Sequence, residues 1–313
     1  MSLGLRIDVD THEGMRDGVP RLLNLLDAVR ARASFFLAMG PDRSGIAILN
    51  AFRPGFLRKM HRNHALRIYG LRTVLSGTLL PSRPVASAFP KIVAEILDRG
   101  HELGVHGWDH RLWQDRLLRM TTIRVAEQLD RAFAAHRKLT GRAAVAAAAP
   151  AWLTRDDALI HQEKAGLRYA SDCRGREPFL PIVGKTVLAT AQLPATTPTL
   201  DEALSSPGQG SRAFFREIEK LAATRPWQVF TLHAEFEGGP YLPEFLEFLE
   251  NLASNGVPAV PLGELLAQRL EKGALPTHRL VTQSLSGRHG VVSWQEESTP
   301  TPAPASVPSG AMS

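Results

Sequence analysis

Short apolar runs alternate with amphipathic helical stretches along nearly the whole chain, and this alternation restricts the fold more than any other feature. Residues 3–9 read as a strand, with Leu3, Leu5, Ile7 and Val9 alternating with Gly4, Arg6 and Asp8. In residues 14–30, Val19, Leu22, Leu23, Leu26 and Val29 recur at helical spacing. Residues 33–39 form a second apolar run, and Pro41 suits the first turn of a helix. Further strands are predicted over 102–106, 143–149, 168–171, 188–193, 228–233 and 257–260. Helices are predicted over 86–97, 122–139, 211–223, 241–254 and 262–270, with another opening at Thr154. About seven βα repeats imply a parallel sheet, open or closed into a barrel.

The polar residues at the ends of these strands carry the chemistry. The first strand runs into Asp8-Val9-Asp10, and residues 102–106 run into His106-Gly107-Trp108-Asp109-His110. Asp172 and His233 end two later strands. Ligand sites of α/β sheets and barrels sit at this edge. Asp10, His106 and His110 offer one carboxylate and two imidazoles to a single divalent ion, with the histidines on one face if their turn is helical. Zinc suits that set, and manganese or cobalt fits it too. Such an ion lowers the pKa of water and polarises a carbonyl. Asp8 is then free to act as a general base, and His233 to protonate a leaving amine. Glu235 is a candidate to orient His233 or to meet substrate. Trp108 reads as a pocket wall and Cys173, the single cysteine, as a buried thiol.

These motifs resemble the NodB-like polysaccharide deacetylase superfamily. Asp8 and Asp10 match its first motif, His106 and His110 its metal motif, and Leu232-His233 its last. The resemblance implies a distorted (β/α) barrel and metal-dependent hydrolysis of an amide. It is closest to a branch that removes formyl from a formamido sugar carried on undecaprenyl phosphate. Met39-Gly40-Pro41-Asp42, Ser171-Asp172-Cys173-Arg174-Gly175 and Leu232-His233-Ala234-Glu235 carry that likeness, which runs from residue 3 to about residue 266. The resemblance brings in Trp152, Asp172, Arg174 and Glu235 as substrate or oxyanion residues. One motif departs from the pattern. Family members carry an Arg-Pro-Tyr-like stretch whose arginine steadies the base, whereas residues 147–152 here read Ala-Ala-Ala-Pro-Ala-Trp. Arg6 and Arg174 remain as alternative partners for Asp8. Pro150 has no N–H, so an oxyanion donor in this stretch must be Ala151 or Trp152.

Charge suggests a second theme. The chain carries a formal net charge of +6, and residues 43–94 hold nine Lys or Arg without one Asp or Glu. That stretch also contains Phe52, Phe56, Leu57, Ile68 and Tyr69. Basic charge mixed with aromatic and aliphatic residues suits the anionic inner-membrane surface rather than nucleic acid. Phe56, Arg58, Lys59 and Arg62 are the expected contacts. No run of apolar residues is long enough to span a bilayer and no secretory signal is visible, so the expected location is cytoplasmic, peripheral to the membrane. Residues 1–270 read as the catalytic domain, and residues 271–313 as a tail that is disordered from about 298, where Ser, Thr, Ala and Pro dominate. Two other functions stay open: deacetylation of soluble N-acetyl sugars or related amides, and non-catalytic binding of carbohydrate or lipid on the same scaffold.

Overall fold

A computed structural model describes residues 1–45, 76, 81–205, 208, 210–285 and 290–296. Phe56, Arg58, Lys59 and Arg62 lie outside the described residues. The strands, in chain order, are β1 (Leu3–Val9), β2 (Ser34–Leu37), β3 (Glu102–Val105), β4 (Ala146–Ala147), β5 (Tyr169–Ala170), β6 (Leu180–Val183), β7 (Thr186–Val187) and β8 (Ala191–Gln192), followed by β9 (Gln228–His233), β10 (Ala259–Val260), β11 (Thr277–His278), β12 (Leu280–Ser284) and β13 (Val291–Gln295). Eight of them form one parallel sheet in the order β10-β1-β2-β3-β4-β5-β8, with β9 also on β1. Thr196, just past β8, donates its N–H to Val229 O of β9 at 3.2 Å. This link curls the sheet into the distorted barrel that the resemblance implies.

Side-chain alternation along β1 sorts the chemistry from the core. Leu5, Ile7 and Val9 point outward into a cluster with Leu22, Leu23 and Leu26 of the helix Val19–Ala28. Arg6 and Asp8, between them, point inward, and both are buried. A second cluster fills the barrel with Phe36, Ala146, Tyr169 and Val229, and Leu262, Leu265 and Leu266 pack against it. The small side chains of β4 leave room for the wide rings of Phe36 and Tyr169.

Three local expectations change. Pro41 starts no helix; it forms an antiparallel bridge with Pro84, which joins the two ends of the basic segment. The helix Pro90–Asp98, partly inside the expected insert 43–94, belongs to the barrel layer and buries Val93 and Ile96. Part of the expected tail is built into the fold. β12 and β13 form an antiparallel hairpin, and β13 clasps Arg174: Arg174 N–H donates to Ser293 O at 2.9 Å and Gln295 N–H to Arg174 O at 2.9 Å. Val292 is fully buried against Trp152 and Ala195, so burying this valine fixes the hairpin beside the barrel mouth.

Candidate active site

Asp8, Asp10, His106 and His233 meet where their strands end. Asp8 and His233 are register partners on the adjacent strands β1 and β9. His106 follows β3 directly, and Gly107 then turns the chain with φ +71°, a conformation that favours glycine. Asp109 caps the next helix, His110–Arg116, by accepting from Leu112 N at 2.9 Å. The two histidines therefore converge from a strand end and a helix start rather than from one helical face.

Asp10 Oδ1 lies 3.3 Å from His106 Nε2, and its Oδ2 lies 3.3 Å from His110 Nε2. One ligating atom from each of the three residues falls within 4.8 Å of the others. His106 Nδ1 is 2.9 Å from the carbonyl of Ala148, which holds the proton there and leaves Nε2 as the donor atom. Asp10 Oδ1 is buried with no hydrogen-bond partner. Burial lowers the pKa of His110 to about 4 and so keeps its lone pair available. Burial also works against ionisation of Asp10, but the neighbouring His110, His106 and His233 hold its carboxyl well below the usual range. An ionised carboxylate and two imidazoles around an unsatisfied buried oxygen fit a divalent cation.

Asp8 stands beside this cluster, with Oδ2 3.7 Å from His106 Nε2. Its partner is Arg6, whose Nε and Nη2 each donate at 2.7 Å to one carboxylate oxygen. Arg6 Nη1 donates to Ser171 O at 2.5 Å and to Ser171 Oγ at 3.0 Å. The arginine missing from residues 147–152 is thus replaced from β1 itself. Burial raises the Asp8 pKa, but Arg6 and His106 more than offset it, and the carboxyl stays below its usual range.

Arg174, the other candidate partner, points elsewhere. Its Nη2 donates to Glu202 Oε1 at 2.7 Å and Oε2 at 2.9 Å. Trp152 stacks between the two guanidiniums, with Arg174 3.8 Å and Arg6 5.3 Å from its ring centre. The edge of Trp152 faces His233 at 6.4 Å. Ala151 and Trp152 both have left-handed backbones (φ +59° and +52°). Trp152 N–H is taken up by Ala149 O and Leu153 N–H by Pro150 O, both at 3.2 Å.

The carboxyl beside His233 is one that sequence reasoning did not single out. Asp201 Oδ1 lies 3.3 Å from His233 Nδ1. Burial opposes the imidazolium, yet Asp201, with Asp10 and Asp8 behind it, raises the His233 pKa to about 10. Glu235 does not orient His233; it accepts from Thr11 N at 2.9 Å and Thr11 Oγ1 at 2.5 Å, fixing the turn after Asp10. Glu237 takes the other position and accepts from His233 N at 3.1 Å. Asp172 packs behind the site on Gln192, 3.4 Å from its Nε2, and burial raises its pKa to about 6. Cys173 is a buried thiol pushed up by that burial. Replacing Asp201 with Asn keeps an acceptor at Nδ1 but removes the charge that favours the imidazolium. The expected result is an alkaline limb of kcat/KM at lower pH than in the wild type, as read from a pH–rate profile.

A parallel barrel with Asp10, His106 and His110 at its carboxyl edge, a buried aspartate held by arginine and a histidine held by Asp201 defines a class before any relative is compared. The chain belongs to the polysaccharide deacetylase family, whose model matches residues 8–170. It is 36% identical over 293 residues, 94% of each chain, to a protein of Shewanella sediminis (strain HAW-EB3) named probable 4-deoxy-4-formamido-L-arabinose-phosphoundecaprenol deformylase ArnD. A protein of Wigglesworthia glossinidia brevipalpis with the same name is 28% identical over 285 residues, covering 91% of this chain and 99% of its own. Among solved structures, a candidate polysaccharide deacetylase from Mycobacterium smegmatis shares the fold with a TM-score of 0.61 at 18% identity, over 91% of this chain and 94% of its own. The chain is accordingly a hydrolase of amide bonds. No helix among the described residues is long and apolar enough to cross a membrane.

Proposed function

We propose that this protein removes the formyl group from 4-deoxy-4-formamido-L-arabinose carried on undecaprenyl phosphate, a step of lipid A modification that confers polymyxin resistance. The observation that carries the reading is the likeness over 94% of both chains to a relative bearing that name, joined to a complete acid, base and ligand set in this chain.

Asp10, His106 and His110 would hold one divalent ion, most simply zinc, with manganese or cobalt as alternatives. Held there, such an ion would supply acidification of water and polarisation of the formyl carbonyl. Asp8, kept ionised by Arg6, takes the proton of the attacking water. The Ala151 N–H supports the negative oxygen, since its neighbours Trp152 and Leu153 are already hydrogen-bonded. His233, kept protonated by Asp201, delivers a proton to the departing amine nitrogen. Trp152 walls the pocket and excludes water from the Arg6–Asp8 pair.

The basic segment would hold the enzyme peripherally on the anionic cytoplasmic face of the membrane. Changing Arg58, Lys59 and Arg62 together to Glu is expected to weaken co-sedimentation with anionic vesicles severely, because each basic residue near such a surface contributes about 1 kcal/mol. Unchanged co-sedimentation would count against the membrane role. The family name favours a second reading, deacetylation of an N-acetyl sugar. Mass spectrometry of a formamido-arabinose polyprenyl phosphate after incubation, with and without chelator, tests the first reading. Parallel acetyl and formyl substrates separate the two. Loss of 28 mass units only in the chelator-free formyl sample is the expected outcome, the formyl-to-hydrogen exchange of amide hydrolysis.

A further inference from the structure

A cavity of about 320 Å³ opens beside the loop that carries His106 and His110, between residues 39–43, residues 82–87 and the helix Thr122–Thr140. Arg43, Arg124 and Arg131 line it together with Trp108, Asp109 and Gln128. Its wall is continuous with the ligand site, because Trp108 and Asp109 are two of the three residues between His106 and His110. Arg124, Gln128 and Arg131 stand at i, i+4 and i+7, so one face of the long helix supplies two guanidiniums and an amide.

The charges around the cavity are unbalanced. Asp109 is its one acidic lining residue, and both carboxylate oxygens are occupied: Oδ1 by Leu112 N at 2.9 Å and Oδ2 by Arg43 Nη1 at 2.8 Å. Arg124 pairs at 2.7 Å with Glu127, a surface contact with both side chains about half exposed. Arg131 has no carboxylate partner among the described residues; its guanidinium lies 4.8 Å from the Trp108 ring centre. Gln128 is 1% exposed, and its Oε1 has no hydrogen-bond partner. A buried amide left unsatisfied is costly, and rotating it presents either a donor or an acceptor to a ligand. Three guanidiniums converging on one polar cavity favour an anion with several oxygens.

We infer that this cavity binds the phosphate through which the sugar is joined to its lipid. Arg124 and Arg131 contact the phosphate oxygens, and Gln128 bonds to a neighbouring sugar or phosphate oxygen. This inference rests on the proposed function for the identity of the ligand.

The test measures binding of farnesyl phosphate to the full-length protein in a neutral detergent, with farnesol as the uncharged control. The double variant Arg124→Gln, Arg131→Gln is expected to bind farnesyl phosphate about tenfold more weakly, with farnesol binding unchanged. Arg124→Lys with Arg131→Lys keeps the charge and is expected to retain most of the affinity. Should the glutamine pair lower the melting temperature enough to unfold the protein, the lysine pair and the single Arg131→Gln variant carry the comparison. Equal affinity in wild type and the glutamine pair, or equal wild-type affinity for farnesol and farnesyl phosphate, would overturn the inference. Displacement of the probe by phosphatidylglycerol or inorganic phosphate at equal concentration would overturn it too, since the cavity would then be a general headgroup or anion site. Neither probe contains a formamide, so binding can fail while deformylation succeeds, and the reverse.

Discussion

Asp8→Asn is expected to lose turnover by about 10²- to 10⁴-fold, the usual contribution of a positioned general base, while retaining wild-type metal content. The two readouts separate because Asp8 lies outside the cluster of Asp10, His106 and His110. Asparagine has nearly the same shape but cannot take a proton from water, and it offers Arg6 one acceptor oxygen in place of two. The buried guanidinium of Arg6 then loses its counter-charge, which is expected to cost about 3–5 kcal/mol of stability. Thermal unfolding must therefore accompany the assay, which follows formate release and metal by mass spectrometry. Asp10→Asn is the informative contrast, since it should lose metal and turnover together. An Asp8→Asn protein with full activity would remove Asp8 from the mechanism.

The alternation of runs along the chain made the parallel βα sheet legible, since the strand and helix periods differ and both repeat several times, while its closure into a barrel came from the family resemblance. The cluster of Asp10, His106 and His110 was legible because Asp10 and His106 end apolar runs and His110 lies four residues beyond His106. The geometry of the histidine pair was not, because His-x-x-x-His reads equally as one helical turn or as a strand end, glycine turn and helix cap. Arg6 illustrates a different limit. Its place two residues before Asp8 puts both on one face of β1, but hydropathy alone marks arginine as a surface residue. The sequence left Arg6 and Arg174 as alternatives, and the barrel interior, with Ser171 opposite Arg6, decides between them. Asp201 was hidden. It sits in the first turn of the helix Leu200–Leu204, inside the capping box of Thr199 and Glu202, so its local sequence reads as a helix start. The β12–β13 hairpin was missed because β12 is almost wholly exposed and shows no apolar face, and β13 gains its place from residues more than a hundred positions away: Thr154 N–H donates to Ser293 Oγ at 2.9 Å.

Arg6→Met is expected to cost as much activity as the loss of the base itself at neutral pH, with an acid limb of kcat/KM moved upward. Three influences act on Asp8 without its arginine. Burial and the nearby Asp10 raise its pKa, and only His106 still lowers it. The carboxyl then holds its proton at the pH where it must accept one. Stability should fall by about 3–5 kcal/mol near neutral pH, because the buried carboxyl must either stay charged without a partner or take up a proton. Its pH dependence should also change sign. In the wild type, the lowered pKa of Asp8 makes a stabilising contribution above the unfolded value of 3.8, which is lost as pH falls through the folded pKa. In Arg6→Met the pKa is raised, so the contribution is present below 3.8 and is lost as pH rises through the folded pKa. Arg6→Lys restores the charge without the two-pronged contact and should recover part of both the activity and the acid limb. Activity profiles and unfolding curves of the three proteins across pH 4–8 separate this positioning role from general damage to the barrel. Damage would lower the rate at every pH alike, whereas loss of the counter-charge must move the limb.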